Sequence, residues 1–140
     1  MPSVSLLVDL IQRKFSYLFD EYGFQLVEAR EFRPLITYYV IVESNTCRIL
    51  FVHEANWDIL FGEPGRLYEG SLKGWVPVSS LFLFLLGELP PRLTQQTETH
   101  FVKDNYHAER LDALADELRL ILPRVIDTFK SPEVVLRLRI

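Results

Sequence analysis

His53 and Glu54 are the first residues whose types could carry out chemistry. A histidine followed directly by glutamate begins the zinc-protease pattern, in which a second histidine follows one helical turn later. Trp57 stands at that position. The pair also falls in a predicted strand, where residues four apart do not form a helical metal-binding pair. The sequence therefore argues strongly against metalloprotease chemistry.

His100, Asp104 and His107 form a second group with metal-ligating side chains. On one continuous helix, spacings of four and three residues would place them on the same face, with ligand types that suit a divalent cation. Asp104-Asn105 resembles a helix cap, however, and a cap would break that face. A solvated polar surface is the favoured interpretation. These residues are kept as weak metal candidates, and no cofactor is predicted.

The glycine-rich segment from Gly62 to Gly74 does not match a phosphate-binding loop. Gly65 and Gly70 have the required separation, but Ser71 stands where that motif needs lysine. The segment is instead predicted to be a turn-rich loop. Aromatic and acidic side chains surround it, of the kinds that serve either a core or an interaction surface. The candidate binding residues are Trp57, Asp58, Glu63, Tyr68, Glu69 and Trp75.

Cys47 is the only cysteine, so the chain has no internal disulfide and no multi-cysteine zinc site. Its place in an apolar predicted strand favours a buried structural thiol over a reactive one. The N-terminus lacks the features of a signal peptide, and the longest apolar run is about half the length of a membrane span. We therefore expect a cytoplasmic protein that does not enter membranes.

The charge of the chain is uneven along its length. The 140 residues carry a net charge of −4, which disfavours nucleic-acid binding. Residues 1–90 hold seven basic and eleven acidic side chains, whereas residues 91–140 hold eight of each. An electrostatic partner is therefore expected to be basic and to meet the first part of the chain.

Hydrophobic periodicity predicts an α+β fold in a single domain, residues 1–140. An amphipathic helix over 3–22 precedes an antiparallel four-stranded meander over 24–61. The predicted strands are Phe24–Arg30, Leu35–Glu43, Thr46–Glu54 and Trp57–Phe61, joined by connections too short for crossover helices.

A C-terminal helical region follows the predicted loop over 62–74. The region spans 78–130: a short buried helix capped by Ser79 or Ser80 and ending near Gly87, then helices over Thr94–Lys103 and Asn105–Lys130. Pro123 is expected to kink or divide the last of these. The tail, residues 131–140, fits either a strand or a short helix.

The second predicted strand is apolar on both faces. Tyr38, Val40 and Val42 point to one side, while Tyr39 and Ile41 point to the other. One interpretation is a central strand covered on both sides by the chain itself. The other is a strand that offers one face to a partner.

Several segments together resemble a class of small bacterial proteins of unknown function, some of which resemble immunity proteins of toxin systems. The resemblance covers about residues 15–85. It is carried by Phe19-Asp-Glu-Tyr22-Gly23-Phe24, by Tyr38–Ser44, by Cys47–Val52 and by the Gly-Trp-x-Pro-Val segment that begins at Gly74. It implies an α+β fold and a bacterial cytosolic setting, and it transfers no functional residue.

Two functions remain open from the sequence. The leading hypothesis is a non-enzymatic protein-interaction module, immunity-like, that binds a partner through its acidic sheet half or self-associates as a homodimer. The alternative is a small-molecule or metal-binding protein with a site near residues 53–69. That site would use His53, Glu54, Asp58, Glu63 and Tyr68.

Overall fold

The structure, a computed structural model, describes residues 3–32, 37–94 and 108–140. Within them the helices and strands follow in the order α1 (Val4–Lys14), α2 (Ser16–Asp20), β1 (Gln25–Phe32), β2 (Thr37–Glu43), β3 (Arg48–His53), β4 (Trp57–Gly62), β5 (Val76–Pro77), α3 (Val78–Leu86), α4 (Pro91–Thr94), α5 (Ala108–Phe129) and α6 (Pro132–Leu138). None of these helices is long and apolar enough to cross a membrane.

The strands form one antiparallel sheet in the order β1-β2-β3-β4-β5. The predicted α+β class and the four-stranded meander are confirmed. The fifth strand was not predicted, because it contains only Val76 and Pro77 and has no alternating pattern of its own. It pairs with Leu60 and Phe61 of β4 and leads directly into α3.

The helices cover one face of the sheet. Tyr38, Val40 and Val42 of β2 belong to a large apolar core together with residues of α1 and α5. The α5 residues in that core recur at helical spacing: Leu111, Leu114, Leu118, Ile121 and Val125. This face is called the helix face below.

The loop between β4 and β5 covers the opposite face, called the loop face below. Tyr39 and Ile41 of β2 form a second apolar cluster there, with Tyr68 and Trp75 from the loop. The sheet is therefore covered on both sides by its own chain. The interpretation that one face of this strand is offered to a partner is wrong.

The predicted helix over 3–22 is two helices, because the chain bends at Phe15. This residue leaves the helical conformation (φ −111°, ψ 35°). Its side chain is fully buried, and its ring meets the ring of Phe51 edge-on at a centroid distance of 5.0 Å. The bend accompanies insertion of this ring into the core, an effect of tertiary packing that periodicity does not register.

The C-terminal region also differs from the prediction in detail. Pro77, and neither Ser79 nor Ser80, occupies the N-cap position of α3, and the left-handed Gly87 ends that helix as expected. Pro123 does not divide α5, which runs through it as one helix, and the proline is on the exposed side of that helix. Residues of the tail form α6, with a proline in its first turn.

Cys47 is fully buried directly before β3, and burial raises the pKa of its thiol to about 12. We therefore predict that the native protein does not react with a thiol reagent such as DTNB at pH 8, where the thiolate is the reacting species. One thiol per chain is expected to react at once in denaturant. Rapid labelling of the native protein would contradict the observed burial.

Candidate functional site

The candidate binding residues are divided between the two faces of the sheet by the alternation of β4. Trp57 points to the helix face and is 1% exposed, whereas Asp58 lies on the other side and is exposed. Trp75 is fully buried in the loop-face cluster. Both tryptophans are therefore core residues in separate clusters, and neither is accessible to a partner.

His53 does not join the carboxylates with which the sequence associates it. Its ring packs against Trp57, at a centroid distance of 4.9 Å, on the helix face. Asp58 lies on the opposite face, and Glu54 lies in the connection between β3 and β4, near Tyr68. His53 is therefore on the other side of the sheet from Asp58 and Tyr68.

The predicted metal candidates fall outside the residues that the structure describes. In residues 3–32, 37–94 and 108–140, no group of three or more histidine, cysteine or acidic side chains could hold a metal ion. His100, Asp104 and His107 lie outside these ranges.

Glu63, another candidate binding residue, is the centre of an ionic cluster at the start of the loop. Its carboxylate accepts a hydrogen bond from Arg66 Nε at 2.8 Å, forms an ion pair with Arg66 Nη2 at 2.7 Å, and accepts a hydrogen bond from Arg139 at 3.1 Å. The contact with Arg139 joins the loop to the residue that follows α6, 76 positions away in the sequence. Glu63 therefore links the loop to the C-terminal residues and is engaged by two arginines.

A second ion pair supports the same loop from the sheet. Arg48 binds Glu43 and donates a further hydrogen bond to the carbonyl oxygen of Arg66 at 3.0 Å. The Gly65 amide donates to the Glu43 carboxylate at 2.9 Å. Together with Glu63 and Arg139, these contacts anchor a segment that lacks regular hydrogen bonding of its own.

The side chain of Arg66 needs two glycines beside it. A Cβ atom at Gly74 would overlap the Arg66 guanidinium, and one at Gly62 would lie 2.9 Å from the Trp75 ring. Gly74 also has a positive φ of +88°, a conformation that strains other residues. The glycine content of this segment therefore serves close packing around an arginine rather than phosphate binding.

Three exposed carboxylates lie together at the other end of the loop face, and we call Glu54, Asp58 and Glu69 the acidic surface. Asp58 is paired across the strands with Val52 of the loop-face cluster, and Glu54 lies in the connection between β3 and β4, near Tyr68. Glu69 follows Tyr68 in the loop. Burial raises the pKa of Tyr68, and the nearby charge of Glu54 adds to that rise.

No carboxylate of the acidic surface forms an ion pair within the part of the chain that the structure describes. Arg48 and Arg66, the nearest basic residues along the chain, are held by Glu43 and Glu63. Glu54, Asp58 and Glu69 are therefore without an ionic partner among the described residues.

Helix α3 presents a surface that the sequence interpretation missed. Leu83, Phe84 and Leu86 are each about half exposed, although the sequence predicts a buried helix. The sequence contained this information, because α3 is apolar on every side. A helix at the edge of a small core cannot bury all of its side chains.

The comparisons with known proteins find no match to a protein-family model, a curated protein or a solved structure.

We predict that Gly74→Ala destabilises the fold more than Gly65→Ala. Both positions have positive φ, so both variants acquire backbone strain of about 1–3 kcal/mol. Only the first also displaces Arg66 from Glu63, since no atom lies within 4 Å of a Cβ at Gly65. Urea unfolding should show an additional loss of about 1 kcal/mol or more for Gly74→Ala. Equal losses of unfolding free energy would mean that the contact of Arg66 with Glu63 does not contribute to stability.

We also predict a loss of stability in acid that depends on Glu43 and Glu63. The hydrogen bond from Arg48 lowers the pKa of Glu43 against the opposing effect of partial burial, and Gly65 assists it. Burial alone would raise the pKa of Glu63, but Arg66 and Arg139 outweigh it, and that pKa is also lowered. A lowered native pKa means stabilisation that is complete above the unfolded pKa and is lost as the pH falls through the native pKa.

Urea midpoints measured from pH 7 down to pH 3 test this prediction. The wild type should lose stability progressively below about pH 4.5, near the carboxylate pKa of an unfolded chain. Glu63→Gln should start lower at pH 7 and fall less steeply. Glu69→Gln is the control and should keep the wild-type slope, because Glu69 makes no ion pair with described residues. Parallel curves for all three proteins would contradict the prediction.

Proposed function

We propose that this chain is a non-enzymatic protein-interaction module, immunity-like in kind, that binds a basic protein partner through its acidic surface in the bacterial cytoplasm. The single observation that carries the proposal is the grouping of Glu54, Asp58 and Glu69. All three are exposed on the loop face, and none is neutralised by a described residue.

Electrostatics supports a basic partner. Like charges placed close together repel, and the fold leaves them unpaired while three arginines are engaged elsewhere, on Glu43 and Glu63. A partner with lysines or arginines at matching positions would relieve this repulsion and would be steered toward the surface during encounter. Such steering raises association rates by roughly 10- to 1,000-fold and weakens with added salt.

The base of the acidic surface is rigid. Tyr68 packs against the ring of Tyr39 at 4.9 Å and the ring of Phe32 at 5.7 Å, so the loop is held against the sheet beside Glu69. Val52, the cross-strand partner of Asp58, is buried in the same cluster. A fixed arrangement of charges loses less conformational entropy on binding than a flexible one.

The test compares capture of partners from a native lysate by three forms of the immobilised full-length chain. These are the wild type, a triple variant with Glu54→Gln, Asp58→Asn and Glu69→Gln, and a control with Asp20→Asn, Glu88→Gln and Glu133→Gln. The control removes three exposed carboxylates that also lack ion pairs with described residues, but from other parts of the surface.

We predict that a basic protein binds the wild type and the control but not the triple variant. With that protein purified, its association rate should fall by roughly ten-fold or more in the triple variant and should decrease with salt for the wild type. A partner that binds all three forms equally, or no specific partner at all, would refute the proposal.

A further inference from the structure

Strand β1 forms a long open edge of the sheet. It is paired on one side with β2 and has no strand on its other side among the described residues. The opposite edge of the sheet is short and occupied, because β5 has two residues and Ile140 exchanges backbone hydrogen bonds with Gly74 and Trp75 beside it. Open backbone groups along an edge strand are a template for a further strand.

The side chains of β1 alternate between the two faces in a charged pattern. Glu28 and Arg30 lie on the loop face, opposite Ile41 and Tyr39 of β2. Ala29 and Glu31 lie on the helix face. Arg30 is 71% exposed and contacts Glu28 along its own strand at 2.8 Å. A β-bulge at Val27 interrupts the regular register on the N-terminal side of this pattern.

A second copy of the chain could pair with this edge in only a few registers. In an antiparallel pair related by a two-fold axis normal to the sheet, residues that face each other must lie on the same face. The axis must therefore pass beside one residue, which faces its own counterpart. If the pairing shifted by a single residue, each side chain would stand opposite one from the other face of the sheet.

The charges of the residues that face each other distinguish these registers. With the axis at Glu28, two glutamates face each other, and with the axis at Arg30, two arginines do. An axis at Glu31 again opposes two glutamates. With the axis at Ala29, Glu28 of each copy faces Arg30 of the other, and the small alanine stands at the centre. Opposite charges directly across a strand pair stabilise it, and like charges destabilise it.

We propose that two copies of this chain associate through β1, antiparallel and with Ala29 at the two-fold axis, so that their sheets join into one. The alternating charges select the register, because they favour the one centred on Ala29 and oppose the neighbouring ones. The residues of this pairing are not those of the acidic surface, and the proposal does not rest on that surface.

The test uses charge reversal measured by sedimentation equilibrium or light scattering over a range of concentrations. Glu28→Arg alone opposes arginines in both pairs, and Arg30→Glu alone opposes glutamates. Each single variant should weaken the dimer by about ten-fold or more. The double variant Glu28→Arg, Arg30→Glu restores opposite charges and should dimerise like the wild type.

Mixing the two single variants gives the sharpest result. The Glu28→Arg chain carries arginine at both charged positions of β1, and the Arg30→Glu chain carries glutamate at both. In the mixed pair, every arginine of the first chain therefore faces a glutamate of the second. The mixture should form a heterodimer although neither variant dimerises well alone. A merely structural role for these residues would not produce this rescue.

Asp9→Arg and Arg13→Glu serve as controls, because they make the same changes in net charge at an exposed ion pair on α1. Both should leave the dimer intact, and circular dichroism should show that all variants are folded. The proposal is overturned if the wild type is a monomer at every concentration, if the mixture fails to associate, or if the controls weaken the dimer equally.

Discussion

The central strands of this protein are apolar on both faces, and both faces must be removed from water. In β2, Val40 and Val42 point to the helix face while Tyr39 and Ile41 point to the loop face, and all are buried. Burying one such side chain contributes about 1.5–3 kcal/mol, so an uncovered face would forfeit a large part of a typical folding free energy. The fold therefore needs two covers.

The helices and the loop that cover the two faces of the sheet are stabilised by different interactions. The helices form their own hydrogen bonds and bind the sheet through apolar stripes. The loop from Glu63 to Trp75 has no such ladder and instead uses ion pairs at its start, an aromatic contact at Tyr68 and the burial of Trp75. Glu63 and Arg139 tie this loop to the end of the chain. The loop cover therefore depends on charge in a way that the helix cover does not.

Periodicity predicted most of the fold, because it reports burial that repeats along an element. The meander and the α5 stripe both followed from it. Periodicity did not predict that a loop covers the second face of the sheet. Tyr68 and Trp75 lie in a loop without any period, and their burial depends on contacts with distant strands. The assignment of Trp57 to a binding surface was avoidable. Its alternation with Ile59 and Phe61, and against Asp58, already placed it on the face of β4 that enters the core.

The place of the excess negative charge on the surface depends on ion pairs between residues that are far apart in the sequence. The excess of carboxylates in residues 1–90 is a property of the sequence. On the loop face, Glu43 and Glu63 are paired by Arg48, Arg66 and Arg139, and the last of these comes from a segment with no net charge. Since two of the three arginines share Glu63, the positive charge is concentrated at the start of the loop. Glu54, Asp58 and Glu69 of the acidic surface are among the carboxylates that keep no ion pair with a described residue.

Once both faces are covered, the edges are the only parts of the sheet that can still bind a strand. One edge ends in a two-residue strand with Ile140 against it. The other carries a bulge and alternating charges, devices that commonly prevent an edge from pairing with arbitrary strands. The order of those charges matters, however. A uniform row of lysines or glutamates would repel a second copy in every register, whereas Glu28 and Arg30 on either side of Ala29 repel it in the neighbouring registers and attract it in the one centred on Ala29. The same residues that protect the edge from other strands can therefore select a single partner for it.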